Sequence, residues 1–193
     1  EDEQAVKRAK AEVSQLPLYT FDVPGISYAN LFASIRRLKA RCPELRLVTI
    51  DYIGLVTGER GQDEQSILKA TSNGLVKLAN ELGIHIICLS QLNRDCESTR
   101  DKRPLASHLR QSGELEQDAD HLLMVQRPCK YEEWERYRDA FWIAERKGRH
   151  CEAQQVVIRF EPEEMWIGGP EVPDPVRDSA SAGKGGTAWK KKH

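Results

Sequence analysis

The sequence predicts an α/β fold that contains a parallel sheet, and three observations lead to this prediction. Two short apolar runs, residues 47–50 and 84–89, each end at polar residues, as buried strands of a parallel sheet do. Between them, apolar residues recur at helical spacing from about residue 62 to residue 82, and such a crossover joins parallel strands. Two later apolar runs, residues 141–144 and 155–160, flank a turn-like segment and are expected to pair antiparallel.

The N-terminal part of the sequence predicts two helices with a short strand between them. Residues 4–15 are helix formers, and Pro17 stops them before an apolar run at residues 18–21 that is a candidate strand. Apolar residues at helical spacing predict an amphipathic helix over residues 27–41, which ends before Pro43. Arginines and lysines surround its apolar stripe, so we expect its outer face to be basic.

Downstream of the second strand, the sequence predicts a loop, a third strand and a tail. Residues 93–104 are polar and charged and are expected to form a surface loop before a short helical segment around residues 105–110. Residues 121–125 predict a third buried strand. The C-terminal end is rich in Pro, Gly, Ser and Lys, so we expect residues 1–170 to form one domain and residues 171–193 a disordered tail.

Composition limits the classes of function that this chain can have. The 193 residues carry a net charge of -1 although 31% of them are charged, so any binding to nucleic acid has to be local. The five cysteines are scattered and form no CxxC pair, which indicates a reducing compartment, and we expect a cytoplasmic location. No apolar stretch approaches the roughly 20 residues of a membrane span, and the acidic N-terminus lacks the apolar region of a signal peptide, so no membrane partner is expected.

Asp51 and Gln91 are the first candidates for a ligand site, because each follows a predicted strand and ligands bind at the carboxyl ends of strands in open α/β sheets. The Asp51 carboxylate suits Mg²⁺, which prefers oxygen ligands. The Gln91 amide can contact a phosphate or an attacking water and still bond a neighbour. Taken singly, each residue also fits a purely structural role, Asp51 as a cap and Gln91 as a loop residue. The sequence contains no GxxxxGK[ST] phosphate loop, the usual companion of such an aspartate.

The order of several longer motifs resembles one known family. LPLY, a helix containing RRLK, VTIDYIGLV, ICLSQLNR and DKRPLASHLRQSGELEQDAD precede a closing pair of strands. Over roughly residues 14–161, this order resembles the later two-thirds of the ATPase domain of DnaB-type replicative DNA helicases. The resemblance implies a RecA-like, doubly wound, mainly parallel sheet with antiparallel strands at the C-terminal edge, incomplete at the N-terminus.

The resemblance also implies a function and a role for both candidate residues. It implies a hexameric ring that hydrolyses ATP or another nucleoside triphosphate at subunit interfaces, translocates on single-stranded DNA and unwinds the duplex. Asp51 matches the Walker B aspartate that positions Mg²⁺, and Gln91 matches the residue that senses the terminal phosphate and relays its loss to the adjoining loop. The family's phosphate loop and catalytic glutamate are not in this sequence, so we expect a partial chain of a longer enzyme that does not hydrolyse nucleotide alone.

A third catalytic candidate lies beside the turn-like segment between the two later strands. In the family, an arginine of the neighbouring subunit reaches the transferred phosphoryl group from a K-x-R-x-G pattern. Residues 144–148 are Ala-Glu-Arg-Lys-Gly, so Arg146 matches this arginine finger and Ala144 stands at the family's lysine position. Lys147 and Arg149 are the candidates to replace the missing charge at the phosphates. Without the resemblance, this pattern is typical of a solvated basic hairpin.

For DNA, the resemblance places Arg110, Gln111 and Gly113 on the family's central-channel loop, where a side chain and main-chain amides hold consecutive phosphates. Gly113 permits close approach of the backbone, and phosphate contacts ignore base identity, as movement along DNA requires. The family often has glutamate where this chain has Gln111. Arg94, in the polar loop, is expected to add electrostatic attraction for DNA.

Two other interpretations remain open at this point. The first is a non-enzymatic RecA-like module for DNA binding or assembly that has lost its ATPase activity. The second is a recombinase-type or clock-type ATPase with the same core, against which SQLNR and SGELEQDAD argue. For the helicase interpretation, the expected partners are single-stranded DNA, further copies of the chain and a primase or helicase loader, in the cytoplasm of a bacterial or phage-infected cell.

Overall fold

Two sheets organise the described part of the chain. The computed structural model describes residues 2–98, 102–109, 113–128, 138–149 and 154–171. The helices are α1 (Asp2–Val13), α2 (Tyr28–Arg41), α3 (Glu64–Leu82) and α4 (Gly113–Asp118), and the strands are β1 (Leu47–Ile50), β2 (His85–Cys88), β3 (His121–Gln126), β4 (Ala140–Gly148), β5 (Gln155–Glu161) and β6 (Trp166–Glu171).

The strands β1 and β2 pair in parallel, and α3 is the crossover that joins them, as the spacing of the apolar runs predicts. The helix begins at the Asp63 cap, whose carboxylate accepts a hydrogen bond from the Ser66 amide at 2.9 Å. It ends at Gly83, which has a left-handed φ of 59° that favours glycine. Local sequence signals therefore fix both ends of the crossover.

One face of this parallel pair carries the first hydrophobic core, formed with α2 and α3. The buried members of this core are Ile35, Ile50, Ile53, Leu68, Leu75, Leu78 and Ile84. The other face is open: Leu47 is 51% and Ile87 is 49% exposed. The expectation that both strands are buried on two faces is therefore wrong for the described residues, because the alternating side chains meet helices on one side only.

The four remaining strands form an antiparallel sheet in the order β3-β4-β5-β6. The predicted strand at residues 121–125 is present and pairs with β4 in this sheet, but it is buried on one face only, since Leu123 is 60% and Val125 is 52% exposed. The predicted antiparallel pair at residues 141–144 and 155–160 is confirmed as β4 and β5. An α/β fold with parallel strands first and antiparallel strands at the C-terminal end is thus confirmed, with the two kinds of pairing in separately hydrogen-bonded sheets.

Two further strand assignments differ from the sequence-based expectation. The run at residues 18–21 forms no strand: Leu18 and Phe21 are 63% and 66% exposed, and no described strand pairs with them. An apolar run needs a partner strand to become one, and local sequence does not supply it. Conversely, β6 forms although two glycines and Pro170 follow Ile167, because β5 supplies its partner.

The expected tail falls almost entirely outside the described residues, which end at Glu171 in β6. Among the helices that the structure describes, none is long and apolar enough to cross a bilayer.

Candidate functional site

Asp51 and Gln91 lie beyond the same end of the parallel pair. The register sets Ile50 beside Cys88, and the Leu89 amide donates to the Ile50 carbonyl at 3.0 Å. The contact continues beyond the strands, because the Ile53 amide donates to the Leu89 carbonyl at 3.0 Å. The segment that follows β1 is therefore fixed against the segment that follows β2, and the structure brings the two strand ends together as the parallel pairing requires.

Both side chains are available for a ligand. Asp51 and Gln91 are exposed, and neither side chain forms a hydrogen bond or an ion pair within the described residues. Next to them is a cavity of about 440 Å³, which is lined by residues 52–57, the first turns of α3, Ser90 and Gln91. Glu64 also lines this cavity, and its carboxylate disfavours a phosphate there. A phosphate group near either carboxylate, that of Asp51 or that of Glu64, would need a cation to offset the like charge.

The donor set fits a hydrated Mg²⁺ that is shared with phosphates. Mg²⁺ is usually bound by one or two carboxylates together with waters and phosphate oxygens. Asp51 supplies one exposed carboxylate. Across the described residues, no cluster of three or more His, Cys, Asp or Glu side chains could hold a metal. A cation at Asp51 would therefore need most of its oxygen ligands from water and from a bound nucleotide.

The segment after Gln91 is hydrogen-bonded to the segment that leads to the predicted DNA-binding residues. Leu92 and Leu109 form an antiparallel bridge, and the Asn93 amide donates to the His108 carbonyl at 2.8 Å. In the sequence, this bridge follows Gln91 directly and directly precedes Arg110. A displacement at Gln91 therefore has a short backbone route to the segment that ends at Leu109.

The structure places two of the four predicted DNA-binding residues. Arg94 is exposed in a 3₁₀ turn at Arg94–Ser98, and Gly113 is exposed at the start of α4. Apart from its chain neighbours and its own helix backbone, no described residue has a heavy atom within 4 Å of where a Gly113 Cβ would be. Arg110 and Gln111 lie outside the described residues. The surroundings of Gly113 thus leave room for close approach of a ligand to its backbone.

The short helix α4 is anchored from two sides. The Lys147 ammonium on β4 donates to the carbonyls of Glu116 and Gln117, at 2.6 and 2.7 Å. From α3, the Ser72 hydroxyl donates to the Asp118 carboxylate at 2.7 Å. No sequence pattern indicated these contacts, which couple β4 to the helix that begins at Gly113. In this structure the Lys147 ammonium is bonded to α4. Its predicted contact with nucleotide stays a prediction.

Arg146 lies on β4 in a β-bulge. The register pairs Leu122 with Lys147 and Leu123 with Glu145, so Arg146 is the extra residue and has no partner on β3. Bulges re-aim side chains and are frequent beside active sites. Arg146 is half-buried, and no described contact joins it to Asp51 or Gln91.

The contacts that Arg146 does make were not anticipated from the sequence. Its Cζ is 5.2 Å from the centroid of a Trp142 ring, and its terminal nitrogen donates to the Pro104 carbonyl at a long 3.4 Å. Arg103 also approaches a Trp142 ring, with its Cζ at 5.1 Å from the centroid. An unbroken period of two along the expected strand would set residues 142 and 146 on one face, which is the signal that could have predicted their contact. The bulge interrupts this period at Arg146.

Comparison with known proteins gives one consistent result. A family model described as the DnaB-like helicase C terminal domain matches residues 1–167. The replicative DNA helicase DnaB of Mycobacterium intracellulare is 39% identical over 133 residues, which cover 68% of this chain and 23% of that protein. The replicative DNA helicase DnaC of Bacillus subtilis is 34% identical over 165 residues, which cover 84% of this chain and 36% of that protein. This chain therefore spans well under half the length of these curated relatives.

Two solved structures have the same fold. One is described as a DnaB-like replicative helicase and its interactions with primase. It matches with a TM-score of 0.80 and 31% identity, and the match covers 87% of this chain and 41% of the chain in that structure. The other is described as an ATPase domain. It matches with a TM-score of 0.81 and 31% identity, and the match covers 89% of this chain and 61% of the chain in that structure. The expected RecA-like ATPase fold is thereby confirmed.

Proposed function

Because the chain belongs to the DnaB-like helicase C-terminal domain family, we propose that it is part of the motor of a hexameric replicative DNA helicase. In this proposal, the motor hydrolyses ATP or another nucleoside triphosphate at subunit interfaces, translocates on single-stranded DNA and unwinds the duplex. The observation that carries the proposal is the pairing of β1 with β2, which sets Asp51 and Gln91 at one edge of the sheet.

Asp51 and Gln91 form the nucleotide side of the proposed site. The exposed Asp51 carboxylate would hold a hydrated Mg²⁺ that is also bound to the phosphates. When bound, this ion neutralises charge on the transferred phosphoryl group. The Gln91 amide, free of partners in the described residues, would contact the terminal phosphate or orient the attacking water. Its hydrogen-bonded neighbours Leu92 and Asn93 would pass a change at Gln91 to the loop that holds DNA.

Arg146 forms the other half of the site, on the neighbouring protomer. It is on β4, in a different sheet from Asp51, and has no described contact with that residue. A guanidinium supplied from the next subunit would bind the charge that develops on the transferred phosphoryl group. Lys147 is proposed as a second, weaker contact to phosphate. To make this contact, its ammonium would have to give up its hydrogen bonds to α4.

DNA is proposed to bind at residues 110–113, which follow the Leu92–Leu109 bridge in the sequence and end at Gly113, the first residue of α4. Arg110, Gln111 and the exposed backbone at Gly113 would hold phosphates, and the exposed Arg94 would add charge nearby. A primase or a helicase loader is the proposed protein partner, since a structural neighbour at TM-score 0.80 is described in its interactions with primase. The proposed compartment is the cytoplasm of a bacterial or phage-infected cell.

A subunit-mixing experiment on the complete gene product tests the proposed site. Arg146→Ala and Asp51→Asn should each lower the ATPase kcat, by about three to five orders of magnitude for Arg146→Ala. If the two residues serve the same interface from different subunits, mixing the two variants restores interfaces that have both native residues. With random one-to-one assembly and independent interfaces, about one quarter of the wild-type ATPase activity should return.

Arg159→Ala is the matched control, because Arg159 is on the same antiparallel sheet but is half exposed in an ion pair with Glu161 at 2.6 Å. This variant should retain wild-type ATPase activity. Wild-type activity of Arg146→Ala would overturn the finger assignment. Absence of any recovery on mixing would overturn the placement of the two residues on opposite sides of one interface. A complete protein that neither binds nor hydrolyses nucleotide would support the non-enzymatic module instead.

A further inference from the structure

Trp142 is the fixed contact of the Arg146 side chain. It is 1% exposed, and its ring centroid lies 5.2 Å from the Arg146 Cζ, within the range of a cation–π contact. The Arg146 Nε is buried and has no hydrogen-bond partner within the described residues. The bond from Arg146 to the Pro104 carbonyl is long, at 3.4 Å. The aromatic face is therefore the strongest contact available to the buried part of this guanidinium.

The geometry of β4 shows that the side chains of Arg146 and Trp142 lean towards each other along the strand. Four residues in a strand separate two Cα atoms by about 13 Å, yet the guanidinium of Arg146 lies 5.2 Å from the Trp142 ring. The bulge at Arg146 re-aims the residue at the same point. The chain thus holds a long, flexible side chain in one direction by two independent means.

We propose that Trp142 is a positioning residue for Arg146, holding its guanidinium in the orientation in which it reaches the nucleotide of the neighbouring protomer. This inference rests on the proposed role of Arg146 as the arginine finger. A side chain that is already oriented needs no further ordering when charge develops in the transition state, which raises kcat without strengthening ground-state binding.

A purely structural role for Trp142 makes different predictions. Trp142 also belongs to the second hydrophobic core, with Leu109, Met124, Ala144 and Val157, so its removal weakens the sheet as well. Its indole Nε1 is buried without a hydrogen-bond partner in the described residues, so phenylalanine removes no hydrogen bond there and keeps an aromatic face. Leucine removes the aromatic face but remains apolar. Comparing the two substitutions separates the aromatic contact from burial.

The experiment measures kcat and KM for ATP hydrolysis by the complete protein at saturating single-stranded DNA. We expect Trp142→Leu to lower kcat roughly ten- to hundredfold at unchanged KM, and Trp142→Phe to stay within about threefold of wild type. In an Arg146→Ala background, Trp142→Leu should lower kcat no further. Val157→Ala, at the β5 position paired with Trp142, is the control for a weakened core and should keep its kcat.

Three results would overturn the inference. They are a wild-type kcat for Trp142→Leu, an equal loss of kcat in Val157→Ala, and a further loss when Trp142→Leu is added to Arg146→Ala. If Trp142→Leu does not fold, a tenfold or larger loss in a folded Trp142→Phe would also count against the aromatic contact. If Arg146→Ala lowers kcat while Trp142→Leu does not, only the positioning role fails; if Arg146→Ala has no effect, the finger assignment fails first.

Discussion

Replacing Lys147 by methionine tests how the helix that begins at the predicted DNA-binding Gly113 is held in place. The Lys147 ammonium donates two charge-assisted hydrogen bonds, at 2.6 and 2.7 Å, to the carbonyls of Glu116 and Gln117 at the end of α4. Such bonds contribute about 1.5–3 kcal/mol each, and the partial charge at a helix C-terminus favours a cation there. Since one of the two bonds is solvent-exposed, we expect the free energy of opening α4 to fall by about 2–3 kcal/mol in total.

Hydrogen–deuterium exchange of the peptide that contains α4 measures this change directly. A loss of about 2–3 kcal/mol corresponds to exchange that is about 30- to 150-fold faster. Lys69→Met is the matched control, because Lys69 contacts the same helix through an ion pair with Glu114 at 3.5 Å and is 62% exposed. An exposed pair contributes about 0–1 kcal/mol, so exchange should rise by about fivefold at most in this variant.

The same Lys147→Met protein distinguishes anchoring from contact with nucleotide. If Lys147 mainly anchors α4, the affinity for single-stranded DNA should fall while the KM for ATP stays unchanged, because α4 begins at Gly113. Exchange in α4 equal to that of wild type, or equal acceleration in the Lys69→Met control, would refute the reasoning. A raised KM for ATP with unchanged exchange would support a direct contact between Lys147 and phosphate.

Two further predictions concern the parallel pair and its core. Leu78→Ala removes a side chain that is 0% exposed in α3 and should lower the free energy of unfolding by about 3–5 kcal/mol in thermal or urea unfolding, whereas Val76→Ala, at 37% exposure, should lower it by about 1 kcal/mol or less. Equal effects would contradict the placement of the core. Desolvation by the surrounding chain raises the pKa of the Cys88 thiol to about 11, although the residue is exposed at the end of β2, so the thiol stays protonated above the pH at which an ordinary thiol, with a pKa of about 8.5, ionises. The rate of Cys88 alkylation at about pH 8.5 should therefore be lower in the folded protein than in urea, and the rate in the folded protein should rise towards pH 11. Equal rates in the folded protein and in urea at about pH 8.5 would contradict the raised pKa.

The helices α1 to α3 and the parallel pair were predictable because their signals are local, whereas the short helix α4 was not predicted. The Asp63 cap and Gly83 define the ends of α3, and the apolar spacing between them defines its buried face. A crossover of this length leaves parallel pairing as the natural connection, which in turn places Asp51 and Gln91 at one edge. The motifs that resemble the helicase family are likewise contiguous stretches of sequence. No long-range contact has to be known for any of these inferences.

Other features depend on which distant segments meet. The run at residues 18–21 has the composition of a strand but no described partner, whereas β6 has a partner and forms in spite of its glycines and proline. The Trp142 contact with Arg146 could have been inferred from the period of two, but the approach of Arg103 to the same residue could not, since the two lie 39 positions apart.

The sequence by itself determined the crossover helix α3 with its two parallel strands, the end of the sheet at which a ligand is expected and the family. Only the tertiary structure decided that Lys147 anchors α4, that a bulge re-aims Arg146 and that Arg103 approaches a Trp142 ring as Arg146 does. The physical reason is that periodicity and caps act over a few residues of chain. Hydrogen-bond partners and aromatic contacts are instead chosen by the packing of elements that are remote in sequence.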